Sequence, residues 1–334
     1  MTLVRLGLAA LAALLISGRS QAADLPVLTV YTYSSFVADW GPGPAVKKAF
    51  EAECGCRVEF VAPGDAVEIL TRLRLEGTST KADVVLGLDL NLAAEAAATG
   101  LFAPHGMDLS KVDLPLPWID RDFVPFDYGY FAFVYDKNRL ANPPTSLKAL
   151  VDGDPAQKIL IEDPRTSTPG LGLLLWVRQV YGDKAGEAWA KLRPRVLTVA
   201  KSWDEAYGLF LKGEAPLVLS YTTSPAYHVL AEKKDNYAAA LFSEGHYLQV
   251  EIAGRTVTSK QPELAQRFLQ FVVSPAFQSI IPQTNWMYPV AKPPGGLPPV
   301  FDAFRPQHAL LTPSAEVAEN SKAWIAEWLT AMSR

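Results

Sequence analysis

Cysteine is scarce in these 334 residues, with one at position 54 and one at position 56. Two cysteines cannot build a disulfide scaffold or a four-cysteine zinc site. The four histidines, His105, His228, His246 and His308, lie too far apart to share metal-ligand spacing, and each reads as a structural residue. No run of Lys and Arg is dense enough to track a nucleic-acid backbone, and the formal charge is −4, which argues against DNA or RNA as partner. Glycines (22) and prolines (26) recur with no period, which excludes collagen-like and solenoid architectures. The chain has no GxSxG, no Walker A loop and no GxGxxG after a strand, so the common enzyme signatures are missing. Extreme charge is missing too: 49% hydrophobic against 20% charged residues is a globular balance, and the length suits two lobes.

Long apolar runs are also lacking. The longest, 6–16, is 11 residues and too short to span a bilayer. It follows Arg5 and precedes Ser20-Gln21-Ala22, a small-x-small cleavage pattern, so residues 1–22 read as a secretory signal peptide. No cysteine lies in this segment, so no lipid anchor is expected on the first mature residue. Cleavage removes Arg5 and Arg19 and no acid, leaving 29 basic against 35 acidic residues. The expected route is secretion through a cleavable signal peptide.

What is present is an alternation of strand and helix. VLTVYTY at 27–33 is β-branched and aromatic, hence a strand. A helix over 43–54 opens with Pro44. A strand over 57–62 follows, then a helix over 66–76 with Asp65 as its N-cap and Gly77 at its end. The apolar run 82–88 reads as a strand covered on both faces, and 91–99 as a helix. An aromatic extended stretch over 123–135 breaks this rhythm. Alternation then resumes with helix 146–151, strand 158–162, a helix from Pro169, strand 195–200, helix 204–212, strand 216–221 and helix 225–233. A second extended segment covers 237–257, followed by helix 262–273 and another from Pro275. The fold class is α/β, two-lobed, each lobe a doubly wound mixed sheet with helices on both faces and the extended segments crossing between them. The alternative is one large open sheet with a decorated edge. The lobes are expected at 23–125 with 246–334, and at 126–245, with the ligand in the cleft outside the carboxyl ends of the strands.

The binding signals lie at strand-to-helix corners. Ser167 and Thr168 precede a Pro-started helix, and Tyr221-Thr222-Thr223-Ser224 precedes a second one at Pro225. Hydroxyls beside free helix N-terminal N–H groups suit an anion, although each corner can equally be simple capping. Tyr33, Trp203, Tyr227 and Trp286 fall at strand ends or in following loops, and Asp65 adds a carboxylate. Aromatic faces with a carboxylate suit a flat cationic ring. The inferred ligand is an aromatic cation carrying a hydroxyl or phosphate. The spacing of Cys54 and Cys56 leaves open either a very small disulfide ring or two thiols, with no thioredoxin-like context for redox catalysis.

Long runs carry a family resemblance across 27–334: KADVVLGLD at 81–89, DPRTSTPGLGLLLW at 163–176, LVLSYTTSPAYH at 217–228, FSEGHYLQVE at 242–251 and NWMYPVA at 285–291. The chain resembles the periplasmic thiamine-binding proteins of ABC importers, which have the type II periplasmic binding protein fold. The resemblance implies ligand contacts at Asp65, Ala66, Ser167, Thr168, Trp203, Tyr221, Thr222, Thr223 and Ser224, with Tyr33, Tyr227 and Trp286 as cleft aromatics. It departs at Ser34, where an acid is expected, and at Ala66, where Gly is expected, so that Ala66 offers only backbone. It further implies no catalysis, no cofactor and no metal, with thiamine, thiamine phosphate and thiamine diphosphate as ligands. The expected partner is an inner-membrane ABC permease with its ATPase. Ferric iron or a polyamine are the rival ligands on this fold, the latter disfavoured because few cleft carboxylates are apparent. A thiamine-degrading enzyme is the rival from another class.

Overall fold

The computed structural model describes residues 25–333, so the signal-peptide expectation lies outside the described residues. Twelve strands are formed: β1 (Val27–Tyr33), β2 (Arg57–Gly64), β3 (Val84–Asp89), β4 (Phe102–Ala103), β5 (Val124–Asp136), β6 (Ile159–Glu162), β7 (Val196–Ala200), β8 (Leu217–Tyr221), β9 (Tyr237–Ala240), β10 (His246–Thr256), β11 (Tyr288–Pro289) and β12 (Ala309–Leu310). Their order is β2-β1-β3-β10-β5-β8-β6-β7, with the short strands attached at the sides.

The 13-residue β5 organises the molecule. Its first part, up to Tyr130, pairs antiparallel with β10. From Phe131 onward it pairs with β8 on one edge and, from Phe133, with β9 on the other. β9 and β10 run along the same edge of β5, so the second extended segment crosses antiparallel to the first, as its pattern predicts. The segment is not one strand, however. It breaks at 241–245, where Gly245 takes a φ of +100° and His308 crowds the space a side chain would need. Two α/β half-sheets thus share one strand, and the hydrogen-bonded path through them is continuous. β1, β2 and β3 are parallel neighbours, as are β6, β7 and β8 around β6. β3 is buried along its whole length, which its unbroken apolar run requires.

The helices Gly43–Cys54 and Ala66–Glu76 fall where their spacing places them. The helix expected over 91–99 is shorter, a 3₁₀ turn followed by Ala93–Ala97, because the Asp89 side chain accepts from the Leu92 N–H and tightens the entry. The segment over 225–233 is a single α-turn, Ser224–Tyr227, continued by a π-helical turn at His228–Glu232. The sequence reading misses the helix Ala185–Leu192 and the long Ser314–Met332, besides the single turns Ser34–Val37 and Ile281–Thr284. The first two pack together, with Trp328 edge-on to Trp189 at 6.4 Å, and the second also reaches Ala93–Ala97 in the other half. Cys54 and Cys56 are joined in a disulfide. No described helix is long and apolar enough to cross a membrane.

Candidate functional site

A cavity of about 630 Å³ opens between the two half-sheets. Nine of the twelve anticipated residues line it: Tyr33, Asp65, Thr168, Trp203, Tyr221, Thr223, Ser224, Tyr227 and Trp286. Ala66, Ser167 and Thr222 do not. All three are fully buried behind the rim, because each sits at a helix or turn entry whose neighbour takes the exposed place.

The aromatic walls come from both halves. Trp203 opens the helix Trp203–Leu211, stacks on Tyr207 with centroids 5.1 Å apart, and donates its indole N–H to Ser220 Oγ at 2.8 Å. Tyr207 is held in turn by His228. Glu232 accepts from His228 Nδ1, which leaves Nε2 to accept from the Tyr207 hydroxyl, both at 2.8 Å. Burial holds the His228 pKa below its ordinary value, consistent with a neutral ring in that role. Opposite, Trp40 approaches Trp203 at 6.2 Å, and Trp286 meets Tyr227 edge-on at 5.5 Å. Trp286 has a φ of +57°, in the left-handed region that a Trp rarely occupies. Such strain is typical of ligand clamps, and here it turns the indole into the cavity.

Asp65 corrects the sequence reading. Its side chain caps nothing on its own helix. Its Oδ2 instead accepts from the Trp203 backbone N–H at 3.3 Å, because the start of that helix comes across the cleft to meet it. Burial raises its pKa to about 6.

The anticipated shortage of cleft carboxylates is also corrected. Glu251 lines the cavity, and in the strand register it stands opposite Asp127 on β5 and Asp89 on β3. Three acids in one row across three strands escape a linear reading, because residues 89, 127 and 251 become neighbours only through pairing. A hydrogen-bonded path ties them to the aromatics. Tyr221 donates to Gln249 at 2.8 Å, and Gln249 donates to Glu251 Oε1 at 2.9 Å. Tyr33 donates to Glu251 Oε2 at 2.8 Å, and Asn285 donates to Asp127 Oδ2 at 2.7 Å. Burial, then the Asp127 charge, pushes Glu251 well above the usual carboxylate range, and burial raises Asp127. Like charges in register destabilise a sheet, so the row favours a positive charge placed before it.

At the hydroxyl-bearing corners, Thr168 begins a 14-residue helix, and Thr223 Oγ1 has no hydrogen-bond partner among the described residues. Ser224 Oγ is already engaged with Ser220 and the Tyr221 N–H. Among the described residues, no group of three or more His, Cys, Asp or Glu could hold a metal ion.

Two α/β halves sharing crossing strands around a ligand-sized cleft define a bilobal solute-binding protein. The comparisons agree. Residues 79–318 match the family of bacterial extracellular solute-binding proteins. The thiamine-binding periplasmic protein of Escherichia coli is 64% identical, over 92% of this chain and 94% of that one. A solved periplasmic thiamin binding protein superposes with a TM-score of 0.90 over 93% of this chain and 97% of that one, at 64% identity. A ferric binding protein from Campylobacter jejuni, at 19% identity and a TM-score of 0.75 over 91% of this chain and 99% of that one, shares the fold alone. The chain belongs to the bacterial extracellular solute-binding protein family and, within it, to the thiamine-binding periplasmic proteins.

Proposed function

We propose that the chain captures thiamine in the periplasm and delivers it, chemically unchanged and without a cofactor, to an inner-membrane ABC permease driven by its ATPase. The observation that carries this reading is one cavity holding both aromatic walls and a carboxylate row. Trp203 and Tyr221 from one half, with Trp286 and Tyr33 from the other, offer faces and edges to two flat rings. Asp65 and Glu251 supply negative charge for a thiazolium. The phosphate and diphosphate esters are ligands of the same site, their anionic tails reaching Thr168, Thr223 and the helix N-terminus behind them. Transport rather than catalysis is supported by the lining, which contains no cysteine nucleophile. Ferric iron is disfavoured because Tyr221 is followed by Thr222 rather than a second tyrosine.

Calorimetric titration of refolded, ligand-free protein with thiamine and both esters tests the ligand assignment. Mass analysis after prolonged incubation tests conversion. Saturable binding with intact thiamine recovered is expected. No heat of binding, or a cleaved product, overturns the proposal.

A further inference from the structure

Glu251 and Asp127 face each other across β10 and β5, and their donors are unevenly distributed. Both Glu251 oxygens accept, one from Gln249 and one from Tyr33. Asp127 Oδ2 accepts from Asn285, while Asp127 Oδ1 is fully buried and has no donor among the described residues. The other groups around them give no positive charge. Asp89 stands in register on β3, Asp65 adds to the negative field from its helix entry, and Tyr33 and Tyr221 come from β1 and β8. None of these four carboxylates has a Lys or Arg partner among the described residues. A buried carboxylate oxygen with no donor, on a residue paired in register with a second carboxylate, is where a proton resides.

We propose that Glu251 is the residue that selects a cationic ligand, and that it shares one proton with Asp127 which the bound cation displaces. The inference rests on the thiamine reading of the same cavity. In the ligand-free site, Asp127 carries the proton on Oδ1 and Glu251 is the anion beside it. When a thiazolium takes its place before Glu251, its charge stabilises both carboxylates as anions, and the Asp127 proton leaves to solvent. Burial, which raises both groups, and the Asp127 charge, which raises Glu251 further, make this exchange available at neutral pH. The binding site thereby distinguishes a cation from a neutral ring of equal shape, because only the cation can replace the proton.

The test is calorimetric titration of the mature chain with thiamine at pH 7 in phosphate and in Tris, buffers whose ionisation heats differ. The expected apparent enthalpies differ by the ionisation heat of about one proton per thiamine, and affinity rises about tenfold per pH unit near neutrality. Asp127→Asn should still bind thiamine, but with no buffer difference and a flat pH profile. Glu251→Gln should lose at least tenfold in preference for thiamine over the uncharged thiochrome. Wild-type protein that binds thiamine with a buffer-independent enthalpy overturns the inference, as does a buffer difference that survives in Asp127→Asn. Infrared difference spectra of ligand-free wild type against Asp127→Asn give a separate reading. Loss of a protonated-carboxyl band at pH 7 supports the shared proton, and its absence from the wild type refutes it. If the wild type does not bind thiamine, the functional reading fails, and the infrared band still decides the proton.

Discussion

Replacing Asp65 by Asn should stabilise the ligand-free protein while weakening its grip on thiamine. The carboxyl is 5% exposed, its pKa is raised by burial from 3.8 to about 6, and the charges of Asp204 and Glu68 push in the same direction. A folded-state pKa above the unfolded value means that folding disfavours the ionised form. Stability from this group therefore falls as pH rises from about 4 through 6 and is fully lost above. A shift of roughly two units corresponds to about 3 kcal/mol at pH 7. Asparagine removes that charge and keeps an oxygen to accept the Trp203 N–H across the cleft. For a chain of this length, about 3 kcal/mol raises the melting temperature by about 5 °C. Calorimetric melts of both proteins should show that gain at pH 7 and none at pH 4, where the wild-type carboxyl is already neutral. Thiamine affinity should drop about tenfold, since a hydrogen bond or contact to a charged group contributes about 1.5–3 kcal/mol. An Asp65→Asn protein no more stable at pH 7 than the wild type, or equally stabilised at pH 4, would refute the reasoning.

Trp203→Ala should weaken thiamine binding at least tenfold and diminish the tryptophan fluorescence change on titration; wild-type affinity in that variant would remove Trp203 from recognition. Thr223→Val should lower affinity for thiamine diphosphate more than for thiamine, measured by calorimetry, because its hydroxyl is unengaged in the fold. Ser224→Ala should instead lower both alike, since its hydroxyl already braces Ser220 and the Tyr221 N–H. Thiamine at 100 times its dissociation constant should stabilise the fold by about 2.7 kcal/mol, seen as a rise in melting temperature; an unchanged melt at that concentration would mean that folded and unfolded chains bind it equally.

The sequence by itself determined the local elements and the kinds of chemistry available. Residue type and period, with Pro44 at one helix start and Gly55 and Gly77 at the helix ends, fix the strand at Val27–Tyr33 and the helices Gly43–Cys54 and Ala66–Glu76, because those signals act within a few residues. Strand ends and the loops after them carry Tyr33, Trp203, Tyr221 and Trp286, and their convergence on one cavity follows from where α/β sheets place their open ends. Tertiary structure alone decided which acids meet. Asp89, Asp127 and Glu251 share a row only because β10 lies between β3 and β5, a register set by pairing over distances that no local pattern encodes. It also took Asp65 away from capping its own helix and gave it to the Trp203 N–H, since a partner from the opposite side of the cleft is invisible in the chain around residue 65. The placement of the helix Ser314–Met332 belongs to the same class: Val317, Trp324, Trp328 and Ala331 recur at helical spacing, but the Trp189 and Ala93–Ala97 surfaces the helix covers lie far away in the chain.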